Sequence, residues 1–442
     1  MIKRISAILM AVCMIACCFA GCGDDKNKGG KQANVDTAYF DNIPVELVGS
    51  TVRFASWRDH TADECASVIE GFIDLTGIDV EMEIYPEGQY VAKLQAQIAA
   101  DDAPDVIIEN GTIATLLQVL QPIENAGIDP KDKFWDQNAI PYYTFGGKTY
   151  AVNGANSYNR LASSIITYNV EFFETYGIKT PDEYIKENNW TWETFKQCMK
   201  DIKNAPADGD NNNTSLDVKQ FLNAYGAQWI NLNTETGKYE NISTNTNLFD
   251  CYKYILEISE SNLAYTPAGM TTSGIPDGTG VMCLTSAFAL RKNGYYKNVD
   301  PATVAYTKLP KRNASDENYP GTYIASRAYG LCEGSKNPLA AGYFIRYFLD
   351  DNNYDMDEVY LNESSAKLAK DQLKNGDFSI YMCESTVYKV LYSGGMPQLF
   401  MNPVVKGSSS QITTNIATVS GTLDNCIKEA NAIIDKTIEE YK

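Results

Sequence analysis

Apolar residues alternate along Thr51–Trp57 (TVRFASW), the period of two that a half-buried strand requires. The period then lengthens. Val68, Ile69, Phe72 and Leu75 fall on one face of a helix predicted over Asp63–Thr76, which Gly77 closes. A strand over Ile78–Tyr85, a helix over Gln89–Ala100 and a strand over Asp105–Glu109 follow. This β-α-β-α-β order predicts an α/β fold with a mostly parallel sheet. Ligands of such sheets bind beyond the carboxyl ends of the strands. Trp57, Arg58, Asp59, Glu109 and Asn110 stand at such ends and are candidate ligand contacts.

The middle of the chain carries a different pattern. Gly146-Gly147 make a turn into a strand over Thr149–Val152, and a polar loop runs from Asn153 to Arg160. A second apolar strand, Ser164–Tyr168, leads into a helix over Val170–Tyr176 with Gly177 after its end. Thr180, Pro181 and Glu183 have the spacing of N-cap, N1 and N3, and Thr191 caps a further helix. Two strands joined by a polar loop predict a chain crossing between two sheets over a cleft. Asn153, Asn156, Tyr158 and Arg160 would offer donors, acceptors and a ring there. Beyond the crossing, Phe221–Ile230 places Tyr225 and Trp229 one helical turn apart, and Thr246–Ser259 reads as an amphipathic helix. Gly278–Leu290 reads as a strand and loop containing Ser286, and Val304–Pro310 as a strand. Tyr319–Leu331, with Tyr323, reads as a return crossing, and Ser335–Phe348, about 356–374 and 423–441 as helices.

FGGKTYAVNG, ITYNVEFFETYGIKTPDEY and NWTWETFK occur in that order over 145–196. The block resembles the centre of the family 1 extracellular solute-binding proteins, the substrate-capturing lipoproteins of carbohydrate ABC importers. KLQAQIAADDAPDVI, TETGKY and SKNPLAAGYFIRYF extend the likeness over most of the chain. GTGVMCLTSAFAL departs from the family pattern, the usual tryptophan being replaced by Phe288 or displaced. The resemblance implies a two-lobed, type II periplasmic-binding-protein-like fold with discontinuous lobes joined by a hinge. It places residues 46–155 plus about 285–318 in one lobe, and 156–284 plus about 319–442 in the other. It implies capture of a sugar or oligosaccharide, an ABC permease as partner, a monomer and no catalysis.

The N-terminus fits that expectation. Lys3 and Arg4 precede an apolar run ending in Phe19-Ala20-Gly21-Cys22, which reads as a lipoprotein signal peptide over 1–22 with Cys22 as the lipidated residue. Residues 23–45 then read as a flexible tether holding the protein at the outer face of a bacterial membrane. Removing the leader leaves 35 basic against 56 acidic residues in the 442-residue chain, a net charge of −21, which excludes nucleic acid as a natural partner. Seven cysteines remain, odd in number and widely spaced, and read mainly as buried free thiols.

Sugars present apolar C–H faces and hydroxyl edges, so their sites combine aromatic rings with carboxylates and amides. The 29 tyrosines and five tryptophans supply the rings, but residue type alone leaves packing open for each of them. No metal or cofactor is expected: a single histidine, His60, does not make a His-rich zinc site, and Asp208–Thr214 lacks the glycine and glutamate of a calcium loop. No HExxH, GxSxG or Walker motif occurs. The alternatives are a receptor of the same fold for a peptide, polyol or glycerophosphodiester, or a secreted carbohydrate-active enzyme.

Overall fold

The computed structural model describes residues 39–109, 117–155, 164–206, 213–227, 230–233, 236, 238–242, 246–265, 274–324, 328–355, 359–373, 378–383, 435 and 438–439. In chain order the strands are β1 Thr51–Ser56, β2 Asp79–Ile84, β3 Val106–Ile108, β4 Leu120–Gln121, β5 Thr144–Phe145, β6 Lys148–Thr149, β7 Ala151–Val152 and β8 Ile165–Asn169. They continue with β9 Thr214–Leu216, β10 Ile230–Asn233, β11 Lys238–Asn241, β12 Ala264–Tyr265, β13 Met282–Thr285, β14 Val304–Thr307, β15 Tyr319–Ile324, β16 Tyr329–Cys332 and β17 Phe378–Cys383.

Two larger sheets organise the chain. The first runs β2-β1-β3-β16-β4, with β7 also on β16; the second runs β12-β9-β13-β8-β14. In the first, β1 is parallel to β2 and β3, as the β-α-β-α-β pattern requires, whereas β16 is antiparallel to β3, β4 and β7. In the second, β8 is antiparallel to both β13 and β14. The sheets are therefore mixed rather than mostly parallel. Both antiparallel entries belong to strands reached by a crossing, β8 and β16, rather than by a local β-α-β unit.

Sheet membership also departs from the expected split at the two later segments. Residues 304–307, expected with the first lobe, pair with β8 in the second sheet, and 329–332, expected with the second, pair with β3 in the first. Both strands are buried along their whole length, so their sequences carry no face asymmetry that would name a sheet.

Local signals account for many element ends. Gly177 caps the helix Val170–Tyr176 at φ 61°, a backbone region glycine enters without steric cost. Thr180 and Glu183 form a reciprocal capping box at Pro181–Lys186, an arrangement whose cap alone contributes about 1 kcal/mol. Gly330 is required by close packing: a Cβ there would lie 2.4 Å from Leu120 Cδ2 and 2.8 Å from the Tyr150 carbonyl oxygen. One prediction shifts. The helix expected over Phe221–Ile230 is Val218–Ala224, and Ile230 opens the β10–β11 hairpin.

Candidate functional site

The strand registers define one edge of each sheet. In the first, β1 and β3 are parallel, so Trp57 and Glu109 follow their carboxyl ends together. Tyr329 pairs with both Ile108 and Val152, which brings Ala328 and Asn153 to the same edge. The Glu109 amide donates to the Ala328 carbonyl at 2.8 Å. In the second sheet, Ile165 opens β8 opposite Thr285, and Leu284 lies opposite Leu216. Ser164, Ser286 and Asp217 therefore mark the edge that the chain enters after leaving Asn153.

The edge of the first sheet holds side chains suited to a ligand. Trp57 is half-buried, its ring edge-on to Tyr90 at 5.3 Å. Glu109 is buried at the strand end. Asn153 is 1% exposed; its Oδ1 accepts from the Gly154 amide at 3.0 Å, while its Nδ2 has no hydrogen-bond partner among the described residues. A buried donor left unpaired is costly, and a ligand oxygen or a bound water is what such a group takes up.

Arg58 and Asp59 are placed otherwise. Asp59 is exposed and caps its own turn, accepting from the Thr61 amide at 3.0 Å and the Thr61 hydroxyl at 2.6 Å. Arg58 is held by Asp63 at 3.0 Å and Glu64 at 3.5 Å, and its guanidinium lies 5.0 Å from the centre of the Phe288 ring. Arg291 covers the same ring at 5.3 Å and also pairs with Glu64, at 3.3 Å. Asn293 Nδ2 adds a 3.4 Å bond to that carboxylate. The segment carrying Phe288 and Arg291 thus joins the loop after β1 to the exit of β13. It lies beside a backbone pairing in which Lys292 donates to Val359 at 3.0 Å and Leu361 to Leu290 at 2.7 Å.

Ser56, His60 and Asp63 form a further chain. His60 Nδ1 lies 3.0 Å from Asp63 Oδ2 and Nε2 lies 3.2 Å from Ser56 Oγ. The connectivity is that of a serine–histidine–carboxylate relay. Ser56, however, is fully buried, and its oxygen accepts the Arg58 amide at 3.1 Å, so no substrate carbonyl reaches it. Burial raises the Asp63 carboxyl, but bonding and charge from His60, the Cys65 amide and Arg58 outweigh it and hold it below the usual range. His60, Asp63 and Cys65 bring three metal-ligand atoms within 4.8 Å of one another. The Asp63 carboxylate in this group already pairs with the Arg58 guanidinium at 3.0 Å and lies 3.0 Å from His60 Nδ1.

Residues 64–355, about two-thirds of the chain, match the family described as bacterial extracellular solute-binding protein. The chain belongs to that family. No curated protein matches the sequence. Among solved structures, the cyclic α-maltosyl-1,6-maltose binding protein of Arthrobacter globiformis superposes with a TM-score of 0.62 at 14% identity, covering 88% of this chain and 99% of its own. The galacto-N-biose/lacto-N-biose I-binding protein of an ABC transporter from Bifidobacterium longum gives 0.61 at 14%, covering 88% and 97%. The sugar-binding protein MalE of Xanthomonas citri gives 0.61 at 14%, covering 89% and 98%. At these identities the likeness carries the fold, which is the two-lobed type II periplasmic-binding-protein-like α/β fold.

Within this solute-binding protein, Tyr225 is drawn into the core. It is buried against Trp192 and Phe221, and its hydroxyl donates to the Pro310 carbonyl at 2.6 Å. Ser286 is buried, and its oxygen accepts the Phe288 amide at 3.3 Å, capping the short helix that positions Phe288. Asn110, Asn156, Tyr158, Arg160, Trp229, the lipidation candidate Cys22 and the side chain of Tyr323 lie outside the described residues. A cavity of about 390 Å³ lies elsewhere, at the outer strand β14, lined by Asp182, Thr307, Lys308, Glu363, Lys367 and Asp371. Tyr90, Glu64 and Arg291 were not among the sequence candidates. The signal for Tyr90 was an aromatic residue opening the helix that follows β2 after a short turn at Glu87–Gln89.

Proposed function

We propose that this protein is a lipid-anchored receptor that captures a sugar or oligosaccharide between its lobes and delivers it to an ABC importer. The observation that carries the reading is the edge of the first sheet: a half-exposed indole, Trp57, beside a buried carboxylate, Glu109, and a buried amide donor without a partner among the described residues, Asn153. A ring for an apolar sugar face and polar groups for its hydroxyls are what such a ligand requires. The sugar-binding proteins among the solved relatives support the same class.

The lobes we propose follow sheet membership. One holds residues 46–155 with about 328–355, the other about 164–311 with 359–383, and the crossings act as the hinge. Closure around the ligand shifts a population of open and closed forms and makes the surface a permease reads. Cys22 carries the lipid that keeps the receptor at the outer membrane face; C22A should release it into the medium. The receptor works as a monomer and breaks no bond.

The test is a thermal-shift screen of the purified protein against mono- and oligosaccharides, peptides and polyols. A ligand at 100 times its Kd stabilises the folded state by about 2.7 kcal/mol. A shift with one glycan, recovered intact, is the expected outcome. A shift only with peptides or polyols would move the ligand class, and recovery of cleaved glycan would overturn the non-catalytic reading.

A further inference from the structure

Tyr90 is 1% exposed and opens the helix Tyr90–Ala99. The ladder between β1 and β3 ends at the pair Ala55 and Ile107. At that end the Tyr90 hydroxyl donates to the Ala55 carbonyl at 2.9 Å and accepts the Ile108 amide at 3.1 Å. The bonded groups lie two residues before Trp57 and one before Glu109, the two candidate contacts. The same ring meets Trp57 edge-on, 5.3 Å between centroids and 89° between planes, and Tyr85 at 6.3 Å. Burial pushes the phenol well above its ordinary pKa, and the Glu109 charge adds to this, so the hydroxyl keeps its proton and stays both donor and acceptor.

We propose that Tyr90 is a positioning residue that sets the Trp57 platform and the Glu109 strand end as one unit; this rests on the sugar-receptor reading. It touches no ligand itself. A hydroxyl bonded to both strands fixes their separation where the ladder stops, and the ring edge fixes the plane of the indole.

The experiment uses Y90F, which keeps the ring and removes both bonds, W57F, and the double variant. The first readout needs no ligand: acrylamide quenching assigned to Trp57 by difference from W57F. In Y90F that contribution should rise about twofold, because an indole with less fixed surroundings is more accessible. The second readout is the Kd for the glycan found in the thermal-shift screen. Y90F should weaken binding about tenfold, roughly the effect of one or two lost hydrogen bonds. The loss should shrink on a W57F background, because residues acting as one unit are not additive. Unchanged quenching, or losses that simply add, would overturn the proposal. If no sugar binds the wild-type protein, the receptor reading fails while the quenching result still decides whether Tyr90 sets Trp57. Should Y90F not fold, 3-fluorotyrosine placed at position 90 substitutes for it. Its ¹⁹F resonance must differ between the wild-type and W57F proteins, and no difference would equally overturn the coupling.

Discussion

The edges of the two sheets are both rich in aromatic residues, yet they use them differently. In the second sheet, Trp192, Phe221, Tyr225 and Tyr254 pack on one another, and Trp190 packs on Tyr184 and Phe195. Trp190 Nε1 donates to the Lys308 carbonyl at 2.8 Å, and the Tyr254 hydroxyl to the Trp192 carbonyl at 2.7 Å. In the first sheet, Trp57 keeps part of its surface open, and Asn153 keeps a donor unspent among the described residues. Aromatic content therefore does not mark a ligand platform. What sets the first edge apart is a partly open ring, Trp57, beside Glu109 and Asn153 at adjoining strand ends, whereas Trp192, also half-buried and with its indole nitrogen unpaired among the described residues, has Arg312 over its ring.

The strongest way to break this contrast is to truncate a ring on each side. Trp190→Ala, at a fully buried position, should cost about 3–5 kcal/mol in denaturant unfolding. Trp57→Ala should cost far less stability. If the two cost the same, the first edge is core and the proposed platform disappears. The charged seam between the edges comes next. Glu64→Ala leaves Arg291 and Arg58 facing each other across Phe288, and the side chain removed is 2% exposed. Removing one member of a buried ion group costs about 3 kcal/mol. A loss below about 1 kcal/mol would mean that solvent screens the seam as it does surface pairs. A smaller effect, on affinity, sharpens the contrast: Trp57→Ala should weaken glycan binding at least about tenfold, equal to about 1.4 kcal/mol. An unchanged Kd in isothermal titration would remove Trp57 from the site.

These differences explain what was legible beforehand. The β1 and β2 strands, their helices and the caps at Gly177, Thr180 and Thr191 follow from local pattern and capping chemistry, and each lies within a few residues of its expected place. The sheet membership of β14 and β16 did not follow, because both are buried along their whole length and their partners are far away in the chain. The candidate site was legible only as strand ends. Trp57 was visible as a position, but its support, Tyr90, meets it only once two strands and a helix have packed. Tyr225 looked equivalent to Trp57 in sequence and was consumed by the core, which only its neighbours decide. Arg58 was a candidate ligand contact; the acids that hold it, Asp63 and Glu64, lie five and six residues further on.

The finest test of the contrast is its response to acid. The second edge relies on rings and on phenols that burial pushes well above their ordinary pKa, as at Tyr225 and Tyr254, so these groups keep their protons throughout the acid range. The first edge depends on Asp63, whose folded pKa lies below that of an unfolded aspartate, about 3.9. A depressed carboxylate contributes stability that is fully present above the unfolded value and is lost as pH falls through the folded one. The groups facing it are His60, Arg58 and the Cys65 amide. Wild-type protein should therefore exceed Asp63→Asn in stability at neutral pH, with the gap closing below about pH 4. The deficit of Trp190→Ala against wild type should be the same at pH 4 and pH 7. If the Asp63→Asn gap persisted at pH 3, the advantage of aspartate at this position would not come from its charge, and the loop after β1 would be held by packing like the second edge.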